Sequence, residues 1–174
     1  MKKVLLLSGS MRKESVNTKL LKAVEVATIA EVFWGSLEQP LFNEDVEAVS
    51  FPESVEQLKS YCESADVIFI STPEYNRGVP GPLKNALDWI SRPYGKNSLT
   101  GKKVVILSAS PGSLGGVVAH HQLITSLVHM GADVHSGFEF TLSNAYDKFD
   151  DEGNLADDVT KGHITKLLTK YDLV

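Results

Sequence analysis

The sequence carries a single cysteine, Cys62, in 174 residues. No internal disulfide can form, and a reducing, cytoplasmic setting is the expectation. Long apolar runs are missing too. No stretch approaches the roughly 18 residues that a membrane span needs, so no membrane partner is expected. The first apolar run, Val4-Leu5-Leu6-Leu7, ends at Ser8-Gly9-Ser10. That is too short for a signal-peptide core despite the leading Met1-Lys2-Lys3, and it reads as a strand. Positive charge is not in excess: 17 Lys and Arg against 22 Asp and Glu give a net charge of −5. Without a long basic run, a nucleic-acid partner is not expected. Three motifs are absent as well. There is no G-x-x-x-x-G-K-[ST] for a nucleotide triphosphatase, no G-x-G-x-x-G for classical dinucleotide binding, and no G-x-S-x-G hydrolase elbow. No metal site is expected either: His129, His135 and His163 lack ligand spacing. The polar stretch Ser143 to Asp158 fails the calcium-loop pattern at Lys148 and Phe149.

What is present is an ordinary globular composition, 43% hydrophobic and 22% charged. The length suits one domain spanning residues 1–174. Val4 to Leu7, Glu31 to Trp34, Val67 to Ile70, Val104 to Leu107 and Ala132 to Val134 read as strands. The first, third and fourth are nearly continuous in apolar residues, as strands covered on both faces are. Helical spacing appears between them, at Leu20, Leu21, Val24 and Ala27, and again at Leu83, Ala86, Leu87 and Ile90. Val117, Ile124, Leu127 and Val128 mark another helix, and Val159, Ile164, Leu167, Leu168 and Tyr171 mark the last. A weaker pattern from Pro52 to Ser64 rests on Val55, Leu58 and Cys62. Strict β-α alternation predicts an α/β fold, a five-stranded parallel sheet with helices on both faces. This three-layer sandwich suits a flavodoxin-like arrangement, with strand order 2-1-3-4-5. Ligands in such sheets bind beyond the carboxyl ends of the strands, so the loops after strands one, three and four matter most.

The first of these loops runs from Ser8 to Thr18. Gly9 permits a tight turn, and Ser10, Ser15, Asn17 and Thr18 offer hydrogen-bonding side chains. The helix that follows presents unpaired N–H groups and the positive end of its dipole. Two readings stand here: an anion site suited to a terminal phosphate, with Arg12 adding charge, or plain helix capping by Ser15 or Asn17. The second loop, Thr72 to Pro82, holds three prolines and two glycines in eleven residues, which fixes an unusual path with exposed amides. Tyr75 supplies a flat face, and Glu74 and Asn76 can pair with a heterocycle edge. The third loop, Ser108 to Gly116, contains Gly112, Gly115 and Gly116, which let the backbone approach a planar ligand or simply make a flexible connection.

At these residues the chain resembles the NADPH-dependent FMN reductase family of flavodoxin-like proteins. The resemblance is carried by Gly9-Ser10-x-Arg12-x-x-Ser15-x-Asn17, by Pro73-Glu74-Tyr75-Asn76 with Pro80-Gly81-x-Leu83-Lys84-Asn85-Ala86-x-Asp88-Trp89, and by Gly112-x-x-Gly115-Gly116. Pro40 to Asp45 and Tyr146 to Asp150 are also similar to family segments. The resemblance implies FMN as cofactor and NADPH or NADH as co-substrate, with hydride passing to quinones, azo compounds or similar small acceptors. It implies that Ser10, Arg12, Ser15, Asn17 and Thr18 hold the FMN phosphate. Pro73, Glu74, Tyr75 and Asn76 would line the ring system, with Arg77 and Gly78 nearby, and Ser110, Gly112 and Gly115 would approach from the other side. No catalytic side chain is implied, because the flavin carries the chemistry. A homodimer or homotetramer is implied as well. Gly78 stands where many relatives carry serine, and His120-His121 falls where relatives vary. The rival reading is a flavodoxin-type electron carrier without nicotinamide oxidase activity.

Overall fold

Strand β1 (Lys3–Ser8) is apolar on both faces from Val4 to Leu7 and lies inside the sheet, between β2 (Glu31–Gly35) and β3 (Val67–Thr72). The computed structural model describes every residue from Met1 to Val174. Next to β3 comes β4 (Lys103–Ala109), and the fifth position is divided between β5 (Asp133–Val134) and β6 (Phe140–Leu142). Every pairing is parallel, and the order is β2-β1-β3-β4-β5, with β6 also on β4. The expected order 2-1-3-4-5 is present.

The sheet differs from the five-stranded expectation by one strand. β5 pairs with Lys103 and Val104 at the start of β4, whereas β6 pairs with Leu107 to Ala109 at its end. Residues 135–139 leave the sheet between them. The physical reason is local: Ser136-Gly137 and Glu139 interrupt the apolar pattern, and Gly137 has a φ of +135°. One continuous strand is therefore replaced by two short ones.

The helices are α1 (Val16–Ala27), α2 (Glu44–Val49), α3 (Glu53–Ser64), α4 (Gly81–Ile90), α5 (Val117–His129) and α6 (Asp158–Lys170). Strand side chains alternate between two cores. Val4, Leu6, Val67, Phe69, Val105 and Leu107 face α1 and α6, while Leu5, Leu7, Ile68, Ile70, Val104 and Ile106 face α3, α4 and α5. Helix α2 was not anticipated; it buries no residue and starts at Asn43, whose side chain accepts from Asp45 N–H. Val128 and Val159, expected on apolar faces, are exposed, and α5 instead buries Ala119, His120, Leu123 and Leu127. Cys62 is buried in the second core, and burial pushes its thiol up to about 12. No helix is long and apolar enough to cross a membrane.

Candidate functional site

The register pairs Ser8 with Ser71 and Thr72 with Ser108, so β1, β3 and β4 end at one level. The loops that follow leave the same edge of the sheet. The first of them starts under tight constraint. Gly9 N–H donates to Ser71 O at 2.7 Å, and a Cβ here would meet Leu83 Cδ2 at 3.0 Å and the Ser71 and Thr72 backbone at 3.1 Å. Glycine is required there for close approach rather than for its torsions.

Further along, Ser15 caps α1: its Oγ accepts from Asn17 N–H at 3.2 Å and Thr18 N–H at 3.4 Å. The Asn17 side chain is buried and fully engaged. Its Nδ2 donates to Ala109 O at 3.0 Å, and its Oδ1 accepts from Ser71 Oγ at 2.9 Å and Ala109 N–H at 3.1 Å. Asn17 thus pins the start of α1 to β3 and to the end of β4. Thr18 Oγ1 shares a hydrogen bond with Ser8 Oγ at 2.8 Å. Between Ser10 and α1 the backbone is open: the N–H groups of Met11, Lys13, Glu14 and Val16 bond to nothing within the chain. Unpartnered N–H groups ahead of a helix start are the donor chemistry that receives an anion. Arg12 is fully exposed beside it, and its guanidinium is held above its ordinary value, first by the Tyr146 hydroxyl and then by Tyr75.

The second loop folds back on itself. Tyr75 N–H donates to Gly78 O at 3.2 Å and Gly78 N–H donates to Tyr75 O at 2.9 Å. The intervening Asn76 and Arg77 have φ of 51° and 61°, a tight turn with both central residues left-handed. Glu74 does not point outward. Its Oε2 accepts from Val118 N–H at 2.9 Å and Ala119 N–H at 3.2 Å, and its Oε1 pairs with Arg77 Nη1 at 3.3 Å. Helix α5 begins at Gly116 with no side-chain cap of its own, so Glu74 supplies one from another loop. A Cβ on Gly78 would meet only ordinary contacts, Tyr75 O at 3.5 Å and Gln122 Oε1 at 3.7 Å.

The third loop is held by the segment after β6. Ser110 N–H donates to Leu142 O, Ala145 N–H to Ser110 O and Asn144 N–H to Gly112 O, at 3.1, 3.0 and 3.2 Å. Gly115, with φ of +61°, lies where a Cβ would come within 3.0–3.1 Å of the Thr141 and Leu142 backbone. Beside the following Gly116, the buried Ser108 Oγ has no hydrogen-bond partner.

The first and second loops border a groove of 530 Å³ lined by Gly9, Ser10, Met11, Arg12, Tyr75, Asn76 and Val79 to Pro82. Of the residues singled out in the sequence, Ser10, Arg12, Tyr75 and Asn76 meet there. Pro73, Glu74, Arg77 and Gly78 build the loop behind them. Ser110, Gly112 and Gly115 stand on the β4 side without lining the groove, and the side chains of Ser15, Asn17 and Thr18 are spent inside the protein. Sequence reasoning missed Met11 and Val79 to Pro82 as lining residues, although they lie within the loops it marked. It also missed Gln122 of α5, for which no local signal exists. His120 is buried with Nδ1 unpartnered, and burial lowers its pKa, while His121 is exposed and pairs with Glu139 at 2.5 Å. Neither lines the groove. Two other grooves, each of 580 Å³, lie on the helical faces, one between α1 and α6 and one between α4 and α5.

A parallel sheet in this order, with its open loops at the carboxyl ends of β1, β3 and β4, defines a flavodoxin-like protein. A family model described as NADPH-dependent FMN reductase matches residues 2–147. The chain belongs to that family and is an oxidoreductase. It is 40% identical over 152 residues to a quinone reductase of Pseudomonas putida, covering 86% of this chain and 82% of the relative. It is 36% identical over 181 residues to an NAD(P)H-dependent FMN reductase of Pseudomonas aeruginosa, covering 98% of this chain and 94% of the relative. Among solved structures, the flavoenzyme NAD(P)H:(acceptor) oxidoreductase FerB of Paracoccus denitrificans superposes with a TM-score of 0.89. Its identity is 34%, and the match covers 98% of this chain and 95% of the FerB chain.

Proposed function

We propose that this protein binds FMN in the groove at the sheet edge and passes hydride from NAD(P)H through it to quinones or similar small acceptors. The observation that carries this reading is the pairing, in one groove, of an open anion cradle with a preformed planar wall. The cradle is the first loop, whose Gly9 to Arg12 stretch lines this groove with the Met11 N–H unpartnered, and whose free N–H groups at Lys13, Glu14 and Val16 continue beyond the lining toward α1. The wall is Tyr75 and Asn76 of the turn with Val79, Pro80 and Pro82.

The fit is supported on size and on donor chemistry. A groove of 530 Å³ falls within the roughly 300–1,000 Å³ of small-molecule sites. Ser10 Oγ, the Arg12 guanidinium and the free N–H groups would hold the phosphate. The N–H groups of Asn76 and Arg77, which bond to nothing else in the chain, would donate to the polar edge of the ring system, with Tyr75 against its face. Ser15, Asn17 and Thr18 would act behind the phosphate by fixing the loop and the start of α1. Bound FMN supplies the two-electron chemistry that no side chain here offers. The protein orients it, leaves one side of the groove open for nicotinamide and then acceptor, and contributes no acid or base of its own.

We read residues 1–174 as one cytoplasmic domain that assembles as a homodimer or homotetramer, on the strength of family membership. Sedimentation at micromolar concentration giving a monomer would remove that part. The central test is anaerobic: FMN-reconstituted protein should lose its yellow colour rapidly with NADPH or NADH and regain it on addition of a quinone. A bound flavin that stays yellow with both nicotinamides would leave an electron carrier and sink the enzyme reading.

A further inference from the structure

Helix α5 reaches the flavin-side loop through a residue that nothing in the sequence motifs marks. Gln122 Nε2 donates to Arg77 O at 3.0 Å, and Gln122 Oε1 accepts from Val79 N–H at 3.1 Å. The amide side chain donates through its nitrogen and accepts through its oxygen, so one residue serves both backbone groups. One turn earlier on the same helix, the N–H groups of Val118 and Ala119 donate to Glu74 Oε2. Positions 118, 119 and 122 share a helix face by their spacing. The two contacts therefore grip the 74–79 loop at both ends of its turn, Glu74 on one side and Val79 on the other.

The grip opposes an intrinsic cost. Asn76 and Arg77 both hold positive φ, a region that asparagine tolerates and arginine disfavours. A turn of this kind persists only where its surroundings over-determine it. The internal bonds between Tyr75 and Gly78 close the turn, but they do not orient it against the sheet; Glu74 and Gln122 do.

We propose that Gln122, together with Glu74, is a positioning residue: it locks the Tyr75–Gly78 turn onto α5 in the orientation that the cofactor groove requires. This rests on the FMN reading above. Gln122 touches no groove space itself and acts through the backbone of Arg77 and Val79. A side chain at position 78 would meet this same contact, since a Cβ there lies 3.7 Å from Gln122 Oε1.

The test compares Gln122→Met, which keeps the shape and helix propensity but removes both hydrogen bonds, with Thr125→Ala. Thr125 lies on the same helix, and its hydroxyl bonds only to His121 O. The first readout needs no cofactor. Arg77 is exposed in the turn, so trypsin cleavage after Arg77 in flavin-free protein reports turn opening. Cleavage should rise about five-fold in Gln122→Met and stay at the wild-type rate in Thr125→Ala, because two solvent-exposed hydrogen bonds are modest ones. FMN dissociation constants, read by flavin fluorescence, should rise by a similar factor in Gln122→Met only. Glu74→Ala should move both readouts further, since its charge-assisted bonds are less exposed. Unchanged cleavage in Gln122→Met would overturn the lock. Raised cleavage with unchanged FMN affinity would overturn its role in positioning the cofactor. If the wild type itself binds no FMN, the functional reading fails, while the cleavage comparison still decides whether the lock exists.

Discussion

The first and second loops leave neighbouring strands and border the same groove, yet they are built in opposite ways. The second loop is tied down on both sides of its turn: Glu74 to α5, Tyr75 to Gly78, and Arg77 and Val79 to Gln122. The first is anchored at its ends, by Gly9 on Ser71 and by Asn17 on Ala109, and four N–H groups between, at Met11, Lys13, Glu14 and Val16, are left without partners. The difference teaches a division of labour. A planar ligand face needs a wall whose shape is already fixed, because ordering it on binding would cost affinity. A phosphate needs donors that are not already spent, and backbone N–H groups at a helix start provide them without buried charge.

The comparison can be broken most severely at Asn17. Asn17→Leu leaves the Ser71 hydroxyl and both Ala109 backbone groups unpaired in the core, and should destabilise the protein by about 3 kcal/mol in urea unfolding. A loss below 1 kcal/mol would mean that the first loop does not depend on this anchor. Next in size is Gly115→Ala. Its φ of +61° and the 3.0–3.1 Å approach to the Thr141 and Leu142 backbone should cost about 2 kcal/mol. Unchanged stability would show that the third loop is free to shift.

A control sits at the start of α6, outside the groove lining. Asp157 caps α6, accepting from Thr160 and pairing with Lys148 at 2.8 Å. The Lys148 ammonium, then Thr160, hold its carboxyl well below the usual range. A folded-state pKa below the unfolded one means that the stabilisation is present above the unfolded value of about 3.9 and is lost as pH falls through the folded value. Asp157→Ala should therefore cost about 1 kcal/mol at neutral pH, flatten the acid side of the stability profile below about pH 4, and leave FMN affinity unchanged. An altered FMN affinity would mean that α6 and the groove are coupled. The smallest effect is expected at Gly78→Ser, within about 0.5 kcal/mol of wild type in denaturation. A larger loss would show that Gln122 cannot share its oxygen with a hydroxyl there.

Much of the fold could be read from particular residues. Val4 to Leu7, Val67 to Ile70 and Val104 to Leu107 are apolar without interruption, which only strands buried on both faces require, and they are the three inner strands. β6 was hidden because Phe140-Thr141-Leu142 is too short to show a period and follows a polar bulge. α2 was hidden because a helix that buries nothing has no apolar stripe. In the site, loop position was legible but side-chain direction was not. Asn17 lies in the expected loop, yet its partner Ala109 is 92 residues away, and Glu74 finds its partners 44 and 45 residues along the chain. Gln122 looks like any solvated helix residue, because what it binds is brought to it only by the fold.

The claim at the centre of this account is that the open first loop is a phosphate cradle. It is tested by measuring FMN and riboflavin affinities side by side, in wild type and in Arg12→Ala. The account predicts that wild type prefers FMN by at least about 100-fold, in line with several charge-assisted bonds to phosphate. It also predicts that Arg12→Ala narrows the gap about ten-fold while riboflavin binding holds. Equal affinity of the wild type for FMN and riboflavin would contradict it.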